Sequence, residues 1–303
     1  GIASLPLSES DDRLVTIVPG RGLACCGKEL KLDLVFPVLH GTFGEDGTVQ
    51  GLLECAGIPY AGAGVLGSAV GMDKEVTKRL WLHEGLPVVP FLVVHAGDML
   101  KPELFAKCVE KANERFGFPL FVKPACAGSS VGASRVDDVD ALSDAVRLAL
   151  SFDTKALIEP CIDAREIECS VLGNGEPLSF PPGEIVPSHT FYDYDAKYID
   201  PNGARLIVPA QLSNGDSKEI RDIAVKAYRA VCCEGFARID FFIDKKNGKI
   251  YLNEINTIPG FTSISMFPRM CEAAGIPYPE LIERIILLGF ERFAERQSVQ
   301  YKR

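Results

Sequence analysis

The sequence predicts an α/β (α+β) protein of several packed layers, and three observations predict it. The chain has 303 residues, and a single hydrophobic core stops growing at roughly 250–300 residues, so two or three subdomains are expected. Segments of helical spacing mix with short apolar runs bounded by turn residues, and no internal repeat is visible. A polar stretch, Asp244–Gly248, separates two strand-like runs, which is a β-hairpin signal.

Taken in order, residues 1–30 carry turn-formers without a sustained period and read as irregular. Leu32–Leu39 is an apolar run that ends at His40 and Gly41, a strand entering a loop. Gly47–Gly57 has Val49, Leu52, Leu53 and Ala56 at helical spacing, with Gly57 as the stop. Ile58–Tyr60 reads as a strand, Asp73–Glu84 as a helix ended by Gly85 and Pro87, and Val88–Val94 as a strand. A helix over Pro102–Arg115 and a strand over Leu120–Lys123 lead to a Gly/Ser loop at Gly128–Gly132, followed by Ala133–Val136. Val139–Phe152 is helical, Ala156–Glu159 a strand, and Glu166–Leu172 an alternating strand ending at Gly173-Asn174-Gly175. Ser217–Cys233 is an amphipathic helix with Ser217 as its expected N-cap. The hairpin Phe236–Ile243 and Lys249–Asn256 follows, and Pro279–Arg296 forms a C-terminal helix.

Composition excludes several classes. With 47% hydrophobic and 24% charged residues the chain is not largely disordered. Its net charge of −9 makes it a poor general binder of nucleic acid or anionic membrane, although it leaves room for a local basic cleft. No apolar run approaches the ~18 residues of a membrane span, and nothing at the start reads as a signal peptide. The ten cysteines show no C-x-x-C spacing and form no zinc pattern with the four histidines, so buried free thiols in a reducing cytosol are expected.

Four constellations carry chemistry. In the hairpin, a turn centred on Asn247 sets Asp240 opposite Glu254, with Asn256 and Arg238 on the same face. Two opposed carboxylates and an amide are hard oxygen donors suited to magnesium shared with phosphate oxygens, and Arg238 suits phosphate charge. The alternative is a solvated hairpin face. Second, Lys123 closes a strand just before the Gly128–Gly132 loop, a pattern in which backbone N–H groups and hydroxyls approach phosphates; a plain hairpin turn is the alternative. Third, Gly62-Ala63-Gly64-Val65-Leu66-Gly67 fits G-x-G-x-x-G. Glu84, at the spacing of a ribose-binding acid, falls at a helix end instead of a strand end, so a cluster of turn glycines is preferred to a nicotinamide site. Fourth, Phe191–Tyr198 lies in a long polar and aromatic loop between Pro187 and Pro209, of the kind that forms lids, with Lys197 placed to reach a phosphate; an ordinary surface loop is the alternative.

Together these residues resemble the D-alanine–D-alanine ligases of the ATP-grasp superfamily, from about Asp33 to the C-terminal helix. The strings that carry the resemblance are His40–Gly47 with Gln50-Gly51, Met72-Asp73-Lys74, Phe121–Pro124 with Gly128–Gly132, Arg165–Cys169, Tyr192–Tyr198, Arg238–Asp240 and Asn253–Ser265, in the family's order. The resemblance implies an ATP-grasp fold of three subdomains: 1–67 N-terminal, 68–160 central and 161–303 C-terminal, with a lid near 187–209. It implies that Lys74, Lys123 and Lys197 contact the phosphates of ATP, Glu159 and the backbone near Ile162 its adenine, and Glu166 its ribose. Two magnesium ions, replaceable by manganese, would sit on Asp240, Glu254 and Asn256. Arg238 and the Gly260 N–H would stabilise an oxyanion, and Ser129 and Tyr198 would tie the lid to the site. His40 would lie near the first D-alanine and Ser265 near the second. Pro160 follows Glu159 where many relatives carry a basic residue, so that adenine contact would be through the backbone alone.

The implied activity is ATP-dependent joining of two D-alanines for peptidoglycan precursors. D-lactate or D-serine as acceptor, or a nucleotide-binding pseudoenzyme, are the alternatives; Tyr198 after Lys197 favours D-alanine. A cytoplasmic homodimer with small-molecule partners and neither nucleic-acid nor membrane partner is the accompanying expectation. The chain departs from the family at its start: Gly1-Ile2 corresponds to a point inside the first subdomain. The first strand–helix units of the N-terminal subdomain are therefore expected to be missing from this sequence, either because the native protein is longer or because the segment is lost, and the glutamate that holds the first D-alanine is assigned to no residue.

Overall fold

The computed structural model describes residues 15–25, 27–128, 131–187, 204–262 and 264–300. Strands β1 (Val15–Val18), β2 (Gly22–Cys25) and β3 (Lys28–Leu30) form a small antiparallel meander. The irregular reading of this stretch is corrected over these strands. They are three or four residues long and β1 is exposed along its whole length, so no inward-facing alternation marks them in the sequence. The expected strands Leu32–Leu39 and Ile58–Tyr60 shrink to one parallel bridge, Val35 to Tyr60. Pro37 and Pro59 have no N–H to extend that ladder. Helix α1 (Thr48–Ala56) ends, as read from the sequence, at Gly57, whose φ of 71° is the left-handed conformation of a helix stop. Helices α2 (Val65–Met72) and α3 (Lys74–His83) meet at Asp73, whose Oδ1 accepts from the Glu75 and Val76 N–H groups at 3.1 Å each.

The next elements are β4 (Leu92–His95), α4 (Pro102–Phe116), β5 (Leu120–Pro124), β6 (Ser134–Val136), α5 (Val139–Leu150) and β7 (Lys155–Pro160). They build a four-stranded antiparallel sheet in the order β4-β7-β5-β6. Leu120, Val122 and Ile158 of the sheet are fully buried against Leu142 and Val146 of α5. The strand expected from Val88 begins only at Leu92, because Pro87 and Pro90 interrupt the run; Val88 instead bridges to Leu252.

A larger antiparallel sheet follows, from β8 (Ala164–Leu172), β9 (Leu178–Ser179), β10 (Gly183–Pro187), β11 (Ala204–Ile207), β12 (Phe236–Asp244) and β13 (Ile250–Asn256), in the order β11-β10-β8-β12-β13 with β9 on β8. Between β11 and β12 runs α6 (Asn214–Ala230), and after β13 come α7 (Met266–Ala273) and α8 (Tyr278–Ser298). The cap of α6 is Ser213 and not Ser217: the Ser213 Oγ accepts from Asp216 N at 3.1 Å. Asn214 and Gly215, poor helix formers, hide this start in the sequence.

Strand periodicity then sorts the side chains. Ile167, Cys169, Ile239 and Phe241 enter a core beneath α6 that also takes Trp81 of α3. Their neighbours at even positions line the other face, where the site lies. Trp81 is fully buried and donates its Nε1–H to the Ala227 carbonyl at 2.9 Å, so α3 is pinned to α6 on the larger sheet although it precedes the smaller one. Phe236, Phe261 and Phe267 pack edge-on or tilted at centroid distances of 5.4 to 5.5 Å and fix the segment after β13. Of the described cysteines, all are free; Cys169, Cys233 and Cys271 are buried, while Cys55 and Cys232 are exposed, so the expected burial is corrected at those two. Among the described residues no helix is long and apolar enough to cross a membrane.

Candidate active site

A cleft of about 620 Å³ opens between the two sheets. Its floor is the even face of β8, β12 and β13. In register, Glu168 stands opposite Asp240, and Asp240 opposite Glu254, so three carboxylates cross the sheet in one row. The pairing of 240 with 254 is the one read from the hairpin sequence. Immediately after it the register shifts, Phe241 facing Leu252, which leaves Asn253 as the extra residue of a β-bulge.

Like charges so close require counter-charge. Arg238 supplies it: its Nε and Nη2 contact Asp240 Oδ1 and Oδ2 at 2.8 Å each, and its Nε lies 3.1 Å from Glu168. Burial opposes its charge, but Asp240 and Glu168 outweigh that and hold the guanidinium firmly protonated. Asn256 donates its Nδ2–H to Asp240 Oδ2 at 2.9 Å. Among the described residues no group of three His, Cys, Asp or Glu side chains converges to hold a metal by itself. Two carboxylates and an amide oxygen, with phosphate oxygens to complete the shell, nevertheless fit magnesium, which is usually bound in this shared way.

The opposite wall carries cations. The first turn of α3 places Lys74, whose Nζ lies 3.3 Å from Glu254 and donates to the Ala127 carbonyl at 2.7 Å. Lys123 of β5 donates to Oδ1 of the bulged Asn253 at 3.0 Å and pairs with Glu159 at 2.9 Å. Burial raises the cost of ionising Glu159, but Lys123 and Lys78 outweigh it and hold its carboxyl below the usual range. The Asp73 side chain, besides capping α3, pairs with Lys155, so the N-terminus of the helix is tied to the smaller sheet. Lys74 N–H adds a bond to the Ala125 carbonyl at 3.0 Å.

At one end of the cleft lie Glu159, Ile162 and Glu166, with Cys161 N–H bonded to Pro119 O at 3.0 Å to fix the strand crossing. At the other end lie His40, Gly260 and Ser265. A Cβ on Gly260 would meet Ser265 Oγ at 2.7 Å, so only glycine leaves this backbone open to the cleft. Ser265 Oγ in turn accepts from Thr262 N–H at 3.0 Å. The loop bearing His40 is braced by Glu45, whose Oε2 accepts from Gly41 N–H at 2.6 Å and whose Oε1 lies 3.4 Å from Ile258 N. Burial pushes the Glu45 carboxyl above its ordinary range.

Thus Arg238, Gly260, Lys74, Lys123, Glu159, Ile162, Glu166, His40, Ser265, Asp240, Glu254 and Asn256, far apart in sequence, all line one cleft. Ser129, Lys197 and Tyr198 lie outside the described residues. Of the loop expected over 187–209, residues 188–203 lie outside the described residues, and Ala204–Ile207 is not loop but strand β11, paired with β10. Sequence reading did not single out Glu45, Lys78 or Glu168. Glu168 alternates with Glu166, and Lys78 is one helical turn from Lys74, which are the available signals. The G-x-G-x-x-G stretch is explained by packing: a Cβ on Gly67 would meet Cys232 O at 2.6 Å, and Gly235, at φ 74°, abuts Gly62. These glycines permit close backbone approach and lie outside the cleft lining.

Two antiparallel sheets closing on a cleft, with lysines on one wall and a carboxylate row on the other, define an enzyme of the ATP-grasp class. Residues 80–287 match the family model of the D-ala D-ala ligase C-terminus, and residues 16–63 that of the D-ala D-ala ligase N-terminus. The chain is 50% identical over 295 residues to the D-alanine–D-alanine ligase of Treponema denticola, covering 96% of this chain and 80% of that one. The solved D-alanine–D-alanine ligase from Coxiella burnetii superposes with a TM-score of 0.81 at 38% identity, over 94% of this chain and 77% of that one. The VanG D-Ala:D-Ser ligase from Enterococcus faecalis gives 0.80 at 36%, over 91% and 79%. The chain belongs to the D-alanine–D-alanine ligase family.

Proposed function

We propose that the chain joins two D-alanines into D-alanyl-D-alanine at the expense of ATP, supplying peptidoglycan precursors. The observation that carries this reading is the facing of Lys74 and Lys123 across one cleft from Arg238, Asp240, Glu254 and Asn256, with Gly260 and Ser265 at its end. ATP lies with its adenine near Glu159 and Ile162, its ribose near Glu166, and its phosphates under Lys74 and Lys123. In our reading Lys197 contacts the same phosphates, and Ser129 and Tyr198 act with it. Asp240, Glu254 and Asn256 would hold magnesium, two ions in our reading, and the metal would neutralise phosphate charge.

A carboxylate oxygen of the first D-alanine, oriented near His40, attacks the γ-phosphorus. The bond to the β-phosphate oxygen breaks and its electron pair leaves with ADP. The resulting acylphosphate is attacked at its carbonyl carbon by the deprotonated amine of the second D-alanine, held near Ser265. Arg238 and the Gly260 N–H stabilise the tetrahedral oxyanion, donors that gain strength as charge develops. Collapse forms the amide and expels phosphate. Domain limits near residues 67 and 160, a homodimer and a cytoplasmic setting complete the proposal.

The test is phosphate release from ATP and magnesium with D-alanine alone, then with D-lactate or D-serine added, the product being read by mass spectrometry. Dipeptide from D-alanine alone supports the reading. A mixed product in preference to the dipeptide reassigns the acceptor, and silence with every acceptor despite nucleotide binding refutes the ligase.

A further inference from the structure

Behind the wall of the cleft lies a second ammonium that the reaction does not touch. Lys78 is fully buried and is absent from the cleft lining. Its Nζ lies 2.6 Å from Glu159 Oε1, 3.4 Å from the Val89 carbonyl, and 5.7 Å from the centroid of the Phe91 ring. The other oxygen of the same carboxylate, Oε2, is 2.9 Å from Lys123 Nζ, which also donates to Asn253 at 3.0 Å. One carboxylate is therefore shared, an oxygen each, between two lysines. For stability alone this is a poor arrangement. A single Lys–Glu pair is already balanced, and burying another ammonium costs several kcal/mol. Burial indeed pushes Lys78 down to about 8, against the pull of Glu159.

We infer that Lys78 is a positioning residue for nucleotide recognition: it occupies half of the Glu159 carboxylate so that Lys123 keeps its charge available to phosphate. The inference rests on the nucleotide reading of the cleft. With Lys78 present the group Lys78, Lys123 and Glu159 carries one net positive charge. Without it, Lys123 becomes the sole counter-ion of Glu159, the pair is neutral, and the carboxylate is drawn onto the lysine that should face the ligand.

The experiment measures ADP binding to the full chain by calorimetry, for wild type, Lys78→Met, Lys123→Met and the double variant. A lost charge-assisted contact of this kind is worth roughly a ten- to hundredfold change in affinity, and that loss is expected for Lys78→Met. In the Lys123→Met background the same substitution should add less than about threefold, because Lys78 acts through Lys123. The KM for ATP should rise with the ADP dissociation constant, while that for D-alanine stays put. Should Lys78→Met not fold, Lys78→Gln keeps a donor to Glu159 without the charge, and about a tenfold loss is expected. Wild-type affinity in a folded Lys78 variant, or losses that simply add with Lys123→Met, overturns the inference and leaves the ligase reading standing. Absence of ADP binding by the wild type removes both.

Discussion

Asp240→Asn keeps the shape of the side chain and removes one charge from the row Glu168, Asp240, Glu254. Two effects oppose each other. A unit charge lost about 4 Å from a bound divalent cation forfeits about 8 kcal/mol at an effective dielectric near 20. Against this, wild-type Asp240 must give up its fork with Arg238, two contacts of 2.8 Å, before it can serve a metal. Two charge-assisted hydrogen bonds of that kind contribute about 3–6 kcal/mol together. The difference, about 2–5 kcal/mol, raises the half-saturating free magnesium by roughly thirtyfold to several thousandfold. Phosphate release with D-alanine, at fixed ATP and varied free magnesium, reads that number directly, with the thermal midpoint as the control for folding. A folded variant whose half-saturating magnesium moves by less than about twofold would falsify the assignment of Asp240 and the electrostatic reasoning behind it.

Trp81→Ala should destabilise by about 3–5 kcal/mol, through lost burial and an unpaired Ala227 carbonyl, and lower the urea midpoint with little change in slope. Burial pushes the thiols of Cys169, Cys233, Cys271 and Cys126 up to about 12, against an ordinary value of 9.0. The folded state thus holds protons that the unfolded state releases. This stability is present below pH 9, is lost as pH rises towards 12, and is partly offset by Lys78, which is depressed to about 8 and acts in the opposite sense up to 10.5. Urea midpoints at about pH 8.5 and pH 11 should therefore fall in that order. Lys197→Ala should lower turnover while leaving the thermal midpoint in place; normal kinetics would make it a surface residue.

Much of the site was legible because local rules carry it. A hairpin with a polar turn sets Asp240 against Glu254 whatever surrounds it, and Gly57 and Asp73 mark helix ends by chemistry that needs no tertiary context. What escaped depends on neighbours distant in the chain. Glu168 becomes part of the carboxylate row only when β8 pairs with β12, and Lys78 acquires its meaning only when β7 brings Glu159 beneath α3. The meander of β1, β2 and β3 escaped for the opposite reason: mostly exposed or half-buried, it leaves no hydrophobic period to read. Ser213 lost to Ser217 as the cap of α6 because Asn214 and Gly215 look like a turn.

Helix α3 is stitched at its first turn to the smaller sheet, through Lys74 N–H to Ala125 O and Asp73 to Lys155, and at its last turn to α6 on the larger sheet, through Trp81. Ten residues long, it is a strut of about 15 Å across the end of the cleft that carries Lys74. Prying the sheets apart there breaks those bonds; parting them beside β10 and β11 breaks none of them. Among the described residues the cleft is therefore hinged like a purse at α3, and its free mouth lies on the side of β10 and β11.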